Sequence, residues 1–369
     1  MSDSLGGIPV SRRGRRRRRA LALVVSSLAV VIAYSTWNAL GLWLTWRNVD
    51  REALDTAAFE ELSTLDAATI ADLDAPEGYL DLVSPSAAAG SAASAGPDAA
   101  DGGPEGPAEP PVGDDAYTTF MIVGADLGGY RADVILLTLL PHDGSAPIMV
   151  SLPRDLYLPN RCSQSLTRLN ANYNGCGDQV NGPTQLSGAV QDFTGLEIDH
   201  FALFAMEDFA TIIDRIGGTE ICVTHEVRDE NGLSLPAGCT TADGETTLLW
   251  IRSRKTQELV DGRWRTMPGV SDLTRNRRQQ DLILSMFGRA SEFDSPGELT
   301  TFIHSLGDTF TLDDRLGLTD AVDLAWANRD LRPESFVRLS IPVENYETSG
   351  GAQVLLPTAS FADVLAQAG

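Results

Sequence analysis

The sequence lacks the short motifs typical of several common enzyme classes. No G-x-x-x-x-G-K-[ST] loop is present, and no G-x-G-x-x-G follows an apolar strand, which argues against P-loop nucleotide hydrolases and dinucleotide-binding proteins. G-x-S-x-G and H-E-x-x-H are also missing, so the sequence has neither a nucleophile elbow nor a zinc-protease helix. Lysine occurs once, as Lys255, and histidine four times. Arginine therefore carries almost all of the positive charge.

Positive charge is scarce and unevenly placed. The chain has 28 basic and 51 acidic residues, for a formal net charge of −23. Seven of the arginines lie in the first nineteen residues beside one acid, Asp3, and the remaining chain has a net charge of −29. Because such a field repels a phosphate backbone, we expect no nucleic-acid partner.

A long uncharged run follows this arginine block, from Ala20 to Trp46. At about 1.5 Å per residue, a helix of this length exceeds the roughly 30 Å hydrocarbon core of a bilayer. The run therefore predicts a transmembrane anchor. The arginines before it place the N-terminus in the cytoplasm and the rest of the chain outside, at the cell membrane. A cleavable signal peptide, with an apolar region of about 7–15 residues, and a twin-arginine signal are the competing interpretations.

Cysteine is also scarce, with four residues that all follow the predicted anchor: Cys162, Cys176, Cys222 and Cys239. The outer compartment permits disulfides, and an even count suggests them. Three pairings are possible, and we favour Cys162 with Cys176 and Cys222 with Cys239, because each bond would close one local loop. No C-x-x-C occurs, which argues against a zinc ribbon.

Composition divides the chain into five segments. They are an arginine-rich cytoplasmic tail at 1–19, the anchor at 20–46, an acidic helix-prone stalk at 47–82, a linker at 83–115 and an extracytoplasmic domain at 116–369. The linker consists almost entirely of Ala, Gly, Pro, Ser and acidic residues. It buries too little apolar surface to offset the entropy of ordering, so we expect disorder there.

The extracytoplasmic domain alternates strand-like and helix-like segments. YTTFMIVGAD, ADVILLTLL and APIMVSLPRD are apolar runs typical of strands covered on both faces. GPTQLSGAVQDFTG and FAMEDFATIIDRIGG predict helices, the second with an apolar stripe from Phe204 to Ile216. TEICVTHEV and TTLLWIRSR are strand-like or mixed, and TRNRRQQDLILSMFGRA predicts another helix. The pattern indicates an α/β fold with a central sheet between helices.

Charged and polar residues recur at the ends of these elements, and ligands bind to covered sheets at strand ends. The set comprises Asp126, Arg131, Asp133, Arg154, Asp155, Arg168, Asn170, Arg252, Arg254, Arg275, Arg278 and Gln279. Guanidinium groups match phosphate oxygens two at a time, and a pair of carboxylates suits Mg²⁺, or Mn²⁺ in its place. The alternative is a set of unrelated surface charges and ion pairs of modest value. The shared placement favours a site for a pyrophosphate.

Seven ordered motifs carry a family resemblance: FMIVGAD, RADVILLTLL, IMVSLPRDLYL, RLNANY, DRIGGTEICV, LLWIRSR and DLTRNRRQQ. Together they resemble the LytR-CpsA-Psr (LCP) family of cell-wall glycopolymer ligases, from about Tyr117 to the C-terminus. The family fold is a central mixed sheet between helices, with an apolar tunnel for a lipid tail.

The resemblance implies a Mg²⁺-dependent phosphotransferase. Its donor would be a glycopolymer on a polyprenyl-pyrophosphate carrier and its acceptor peptidoglycan, joined through a phosphodiester. Asp126 and Asp133 would be the metal-associated acids. The pyrophosphate-binding set would be Arg131, Arg154, Arg168, Arg252, Arg254, Arg275, Arg278 and Gln279, with Arg168 standing where the family usually has lysine. Asp133, Arg131 and Arg275 are the predicted catalytic residues, and the linker would let the domain reach from bilayer to wall.

Two other functions remain open at this stage. The same arginines and metal would serve a pyrophosphatase that hydrolyses lipid-linked diphosphates with water as the acceptor. A non-enzymatic membrane-bound regulator or glycopolymer-binding protein would also use them, although the cytoplasmic part is short and resembles no DNA-binding domain.

Overall fold

A computed structural model describes most of the predicted extracytoplasmic domain. It describes residues 40–41, 43–44, 46–65, 69, 75–76, 78–83, 116–125, 131–268, 278, 280–284, 309–317, 320–321, 324, 327–328 and 331–368. The predicted tail, most of the predicted anchor and the predicted linker beyond Val83 lie outside these residues. Within the described part, no helix has both the length and the apolar character to cross a membrane.

A mixed sheet of seven strands forms the centre of the domain. In spatial order its strands are β1 (Asp50–Glu52), β14 (Phe310–Asp313), β7 (His200–Ala205), β2 (Tyr117–Ala125), β3 (Ala132–Pro141), β4 (Ile148–Ser151) and β15 (Val337–Ser340). The pairs β1/β14, β7/β2 and β4/β15 are parallel, and the other three are antiparallel. The predicted central mixed sheet is confirmed.

Both faces of this sheet are buried, which explains the unbroken apolar runs of the sequence. Successive side chains of a strand point to opposite faces. Along β3, Ile135 and Leu137 enter one core, whereas Val134 and Leu136 enter the other. Because water is excluded from both faces, almost every position of β2 and β3 must be apolar.

The helices cover the two faces. They are α1 (Thr56–Glu60), α2 (Tyr79–Val83), α3 (Gly182–Thr194), α4 (Met206–Arg215), α5 (Gly244–Arg252) and α6 (Phe361–Leu365). The core that contains Ile135 includes apolar residues of α2, α3 and α6, and the core that contains Val134 includes those of α4 and α5. Helix α3 fits its prediction: Asn181 caps it by accepting from the Thr184 amide at 2.9 Å, and Gly195 ends it in the left-handed region.

Four small strand assemblies lie outside the central sheet in the described part. They are the hairpin β5 (Tyr157–Asn160) with β6 (Ser165–Arg168), the pair β8 (Thr219–Val223) with β11 (Gly238–Ala242), the pair β16 (Val343–Glu347) with β17 (Gln353–Pro357), and a sheet of β10 (Ser234–Leu235), β9 (Val227–Arg228), β12 (Gln257–Val260) and β13 (Arg263–Thr266). A 3₁₀ helix, Leu169–Asn174, follows β6.

The described part of the predicted stalk at 47–82 belongs to the domain instead. Strand β1 pairs with β14 at the edge of the central sheet. The Phe59 ring of α1 is buried and packs directly on Gly188 of α3, where any larger side chain would collide with it. Leu54 and Tyr79 are buried as well, and so is Val83 at the end of α2, the first residue of the predicted linker. Acidic composition alone suggested a separate stalk, but backbone pairing and three apolar side chains attach this segment to the fold.

Two further predictions differ from the structure. Phe204 lies in β7 rather than in the predicted helix, so the apolar stripe of α4 begins at Phe209. The run TTLLWIRSR, predicted as strand-like or mixed, is helical up to Arg252. Asp243 caps this helix by accepting from the Thr246 amide at 2.9 Å, a start signal that outweighs the apolar run.

Candidate functional site

A cleft with a volume of about 260 Å³ opens where β3 begins and β4 ends. Its described lining is Arg131, Arg154, Asp155, Arg168, Asn170, Ala171 and Asn174. Three of the seven side chains are guanidinium groups, brought together from three separate places in an acidic chain. The sequence predicted this convergence of Arg131, Arg154 and Arg168.

Arg154 lies between two carboxylates at the end of β4. Leu152 extends the pairing of β4 with β3 by donating its amide to Ile135 O at 3.0 Å, and Pro153 then leads the chain into the cleft. Arg154 Nη1 donates to Asp133 Oδ1, and Nε donates to Asp155 Oδ2 at 3.4 Å. The two carboxylates fix the direction of the guanidinium.

The charges around Arg154 also strengthen its positive charge. Its side chain is 23% exposed, and burial on its own lowers the pKa of a guanidinium. The hydrogen bond and charge of Asp133, together with the charge of Asp155, outweigh that effect and raise the pKa of Arg154. The cleft therefore holds a permanent cation at this position.

Asp155 links Arg154 to Arg168. Its Oδ1 lies 3.5 Å from Arg168 Nε, and Arg168 also donates from Nε and Nη2 to Gln353 O at 3.2 and 2.6 Å. The backbone of Asp155 is held as well, because Leu355 of β17 donates to Asp155 O at 2.9 Å. With its planar set of donors, the Arg168 guanidinium binds a carboxylate and a carbonyl at the same time. The lysine that the family resemblance predicts at this position would offer one compact ammonium instead.

The remaining lining comes from the 3₁₀ helix. Leu169 and Asn170 donate their amides to Leu156 O and Arg154 O at 2.7 and 2.9 Å, which places this helix beside the end of β4. Below it, the buried Asn172 side chain accepts from Gln185 Nε2 of α3 at 3.1 Å. Gly175 ends the helix with a φ of 68°, where a Cβ would collide with Val180 O.

Arg278 lies elsewhere, and its donors serve the protein interior. It is 8% exposed, stacks 3.7 Å above the Trp250 ring, and donates from Nη1 to Trp250 O at 3.0 Å and Ser253 O at 3.3 Å. Burial lowers the pKa of Arg278 to about 10, although the charge of Asp229 acts in the opposite direction. This environment differs from the predicted anion-binding role: the side chain fixes the end of α5.

The other predicted site residues are not brought into the described lining of the cleft. Arg252 is exposed at the end of α5, and Arg254 is exposed two residues later. The sequence predicted that both would lie on one extended segment and point the same way. This is wrong, because α5 includes Arg252. Asp126, Arg275 and Gln279 lie outside the described residues. Their predicted roles stay predictions.

Both predicted disulfides are confirmed. Cys162 is bonded to Cys176, and Cys222 to Cys239. The first bond closes a loop that contains four of the seven lining residues: Arg168, Asn170, Ala171 and Asn174. Ala171 and Asn174 were not predicted as site residues. The sequence could have indicated them, because they lie between the same two cysteines as Arg168.

The cleft can bind an anion with several oxygens. Guanidinium groups from three positions surround a space large enough for a pyrophosphate, and Asn170 and Asn174 add neutral polar groups. Asp133 beside them is 33% exposed, so its carboxylate is accessible to a cation. This donor set, one accessible carboxylate next to three guanidinium groups, fits Mg²⁺ bound together with a phosphate, because Mg²⁺ binds through one or two carboxylates plus phosphate oxygens.

Comparison with known proteins gives the family. The family model described as the LytR_cpsA_psr family matches residues 111–368, more than half of the chain. The chain belongs to the LytR_cpsA_psr family. The resemblance in the motifs is thereby confirmed, and the matched range contains every described residue of the cleft lining.

Relatives within the LytR_cpsA_psr family are moderately similar. The "Probable cell wall biosynthesis protein LcpB" of Corynebacterium glutamicum is 32% identical over 48% of this chain and 37% of its own length. The "Polyisoprenyl-teichoic acid--peptidoglycan teichoic acid transferase TagU" of Oceanobacillus iheyensis is 30% identical over 51% of this chain and 54% of its own length. The matched region thus spans about a third to a half of these relatives.

A solved structure supports the fold. The LytR-Csp2A-Psr enzyme from Actinomyces oris is 29% identical in sequence, with a TM-score of 0.56. The structural match covers 69% of this chain and 90% of that one. The central mixed sheet described above is therefore the fold of the LytR_cpsA_psr family.

Proposed function

We propose that this chain is a phosphotransferase that moves a glycopolymer from a polyprenyl-pyrophosphate carrier to peptidoglycan. The observation that carries the proposal is the cleft in which Arg131, Arg154 and Arg168 converge. Three guanidinium groups outnumber the two carboxylates that contact them, Asp133 and Asp155, and so leave an excess of positive charge in a chain with a net charge of −23. Such a local excess suits a diphosphate. Membership of the family and the teichoic acid transferase activity in the name of the TagU relative support the same reaction.

In this reaction a sugar hydroxyl of peptidoglycan attacks the phosphorus that bears the glycopolymer. A phosphorus–oxygen bond to that hydroxyl forms, the bond to the bridging oxygen of the pyrophosphate breaks, and the lipid phosphate leaves with the electron pair. Arg154 and Arg168, held by Asp155, would bind the phosphate oxygens and stabilise the negative charge of the leaving phosphate. Arg131 would add a third positive charge from the start of β3.

The proton of the attacking hydroxyl passes to a carboxylate, for which we propose Asp133. Mg²⁺, held by Asp133 and Asp126, would supply further charge neutralisation for the pyrophosphate when bound. We also propose that residues 20–46 anchor the chain in the cell membrane, where a polyprenyl carrier resides.

The test is a ligation assay with the full chain, a synthetic polyprenyl-pyrophosphate-linked saccharide, Mg²⁺ and peptidoglycan fragments. We expect a saccharide–glycan adduct joined by a phosphodiester. Arg154→Ala should lower adduct formation by about 100-fold, because removal of one preorganised donor typically costs about 10² to 10³ in rate.

The matched control is Arg263→Ala, which removes an exposed arginine of β13 that is absent from the described lining of the cleft. This variant should retain ligation within about twofold. Release of lipid phosphate without an adduct would assign a pyrophosphatase instead. Full adduct formation by Arg154→Ala would remove the cleft from the reaction.

A further inference from the structure

The chain enters the folded domain directly after the predicted anchor. Trp46 ends the uncharged run, and β1 begins at Asp50. Four residues of extended chain span at most about 14 Å. The connection between the predicted anchor and the central sheet is therefore short.

Side chains fix this connection to the sheet. Arg51 donates from Nη1 to Asp313 O and Leu316 O, both at 2.9 Å, and its guanidinium stacks 4.3 Å above the Trp46 ring. One turn earlier, Arg47 stacks 4.8 Å above Trp43. Arg51 thus joins the last residue of the uncharged run to the end of β14, while the backbone of β1 pairs along that strand.

The strand register shows which end of the sheet receives the anchor. Asp50 pairs with Thr311, Thr311 with Leu203, Leu203 with Val123, and Val123 with Ile135. From this row, β2 continues to Ala125 and β3 starts at Ala132, beside Arg131 and the cleft. Because β1 runs away from that end, the residues before Asp50 leave the sheet at the end that carries the cleft.

Exposed apolar side chains lie at the outer end of the predicted anchor itself. Leu40, Trp43 and Leu44 are the large apolar residues with the highest exposure in the described part, at 47%, 45% and 45%. Tryptophan is enriched at the boundary between lipid and water, and arginine near the end of a membrane helix extends its charge to that boundary. A water-exposed position would leave this surface without an apolar partner, whereas a bilayer covers it.

We infer that the domain is seated on the bilayer with the cleft end of its central sheet facing the lipid. The contact is made by the outer end of the proposed anchor, Leu40, Trp43 and Leu44, and by the Arg47 and Arg51 stacks that follow it. Its partner is the lipid bilayer at its headgroup boundary. This inference rests on the proposed anchor at 20–46. It deepens the proposed function, because a pyrophosphate at the lipid surface then meets the arginines with no extension of the domain.

The predicted linker has a different role in this arrangement. Val83 before it and Ala116 after it both lie in the folded domain. The path from Trp46 to the cleft therefore does not pass through residues 84–115, and this segment does not set the height of the domain above the bilayer. Under this inference the short connection after Trp46 sets that distance, in place of the reach predicted for the linker.

Energy transfer to the membrane can measure this orientation. All four cysteines are in disulfides, so an introduced cysteine provides the single thiol for a donor dye. Asp208→Cys marks the cleft end, in the first turn of α4, and Ala146→Cys marks the opposite end, in the turn after β3. The ten residues of β3 separate these ends by roughly 33 Å.

The full chain would be reconstituted in phosphatidylglycerol vesicles with a trace of acceptor-labelled lipid. We expect transfer from the Asp208→Cys label to exceed transfer from the Ala146→Cys label at least twofold. About twenty Gly and Ser residues inserted between Arg47 and Asn48, which add roughly 25 Å, should remove the difference. Replacement of residues 84–115 by a Gly-Ser segment of half the length should leave both values unchanged.

Equal transfer from both labels in the unmodified chain, or a change on shortening 84–115, would overturn the inference. Failure of the chain to float with the vesicles would overturn it too, by removing the anchor. A chain that keeps the asymmetry but forms no adduct in the ligation assay would contradict the proposed transfer and leave the orientation standing. A chain that ligates with symmetric transfer would contradict the orientation alone.

Discussion

The two disulfides of this domain close loops of similar length in different surroundings. Cys162 and Cys176 are 14 residues apart and enclose β6 and the 3₁₀ helix that lines the cleft. Cys222 and Cys239 are 17 residues apart and are direct partners in the five-residue ladder of β8 and β11. The first bond fixes a segment whose position decides the shape of the site. The second bond joins residues that backbone pairing already holds together.

This comparison separates stability from function. A disulfide stabilises mainly by limiting the unfolded chain, and loops of these two lengths are each expected to contribute about 3 kcal/mol. The native surroundings of each disulfide do not change this contribution, which depends on loop length. They decide instead which bond the cleft depends on, and the four lining residues inside the first loop assign that dependence to Cys162–Cys176.

The largest effect is expected from Cys162→Ser with Cys176→Ser. Removal of this bond should lower the free energy of unfolding by about 3 kcal/mol. It should also lower ligation by at least about tenfold, because the 3₁₀ helix keeps only its hydrogen bonds beside Arg154 and loses the covalent constraint on its position. Ligation is measured at a temperature where the variant is still folded by circular dichroism. Unchanged ligation there would contradict the assignment.

The matched change in the second loop is Cys222→Ser with Cys239→Ser. The free energy of unfolding should again fall by about 3 kcal/mol. Ligation should stay within about twofold, because this loop contributes no described residue to the cleft. Chemical denaturation and the same ligation assay give both values. A tenfold loss of ligation in this variant would remove the distinction between the loops.

A smaller effect is expected from Gln185→Leu, which changes the support beneath the first loop. The buried Asn172 side chain would lose the donor that Gln185 Nε2 provides, and an unsatisfied buried polar group costs about 1–3 kcal/mol. Thermal unfolding measures the loss. Gln179→Leu, at an exposed position three residues after Cys176, should shift stability by no more than about 0.5 kcal/mol. Equal shifts in the two variants would show that Asn172 finds another partner.

The smallest effect concerns pH and the base of the first loop. Arg161, next to Cys162, donates to both carboxylate oxygens of Asp192 on α3 at 2.8 and 2.6 Å. Burial raises the pKa of Asp192, and the hydrogen bond and charge of Arg161 only partly oppose this. The folded state therefore holds this proton more tightly than the unfolded chain does.

Protonation of Asp192 contributes to the free energy of unfolding. This contribution is fully present below the ordinary pKa of 3.8 and is lost as the pH rises through the higher pKa of the folded state. Asp192→Asn should lack this decline, so the unfolding midpoint of the parent should fall relative to that of the variant across this acidic window. Exposed Asp178→Asn serves as the control. Parallel pH profiles for the parent and Asp192→Asn would contradict the raised pKa.

Much of the fold and part of the site could be predicted from the sequence. The apolar runs of β2 and β3 predicted a covered sheet because burial on both faces requires apolar residues at successive positions. Arg131, Arg154 and Arg168 were predicted to meet because strand ends are where covered sheets bind ligands. The local disulfide pairing was favoured among three possible pairings, because each bond would close one local loop in the predicted outer compartment.

Other features depend on partners that are distant in sequence. Arg278 looks like its neighbours in TRNRRQQ, and its burial is decided by Trp250 and Thr256 in another segment. The three residues of β1, DRE, show no apolar strand pattern and could not be predicted as a strand. This short edge strand is held by backbone pairing with β14 and by the hydrogen bonds that Arg51 donates to carbonyl oxygens. The apolar run LLWIR fits both a strand and a helix, and periodicity alone cannot separate the two.

Strand β1 also protects an edge. It covers β14, which would otherwise present unpaired backbone groups of a mixed sheet to other molecules. Because β1 precedes residues 84–115, a soluble fragment that starts at residue 116 would lose this cover together with the buried Phe59 and Val83. Such a fragment would be prone to edge-to-edge aggregation, and one that starts before Asp50 would retain the complete sheet.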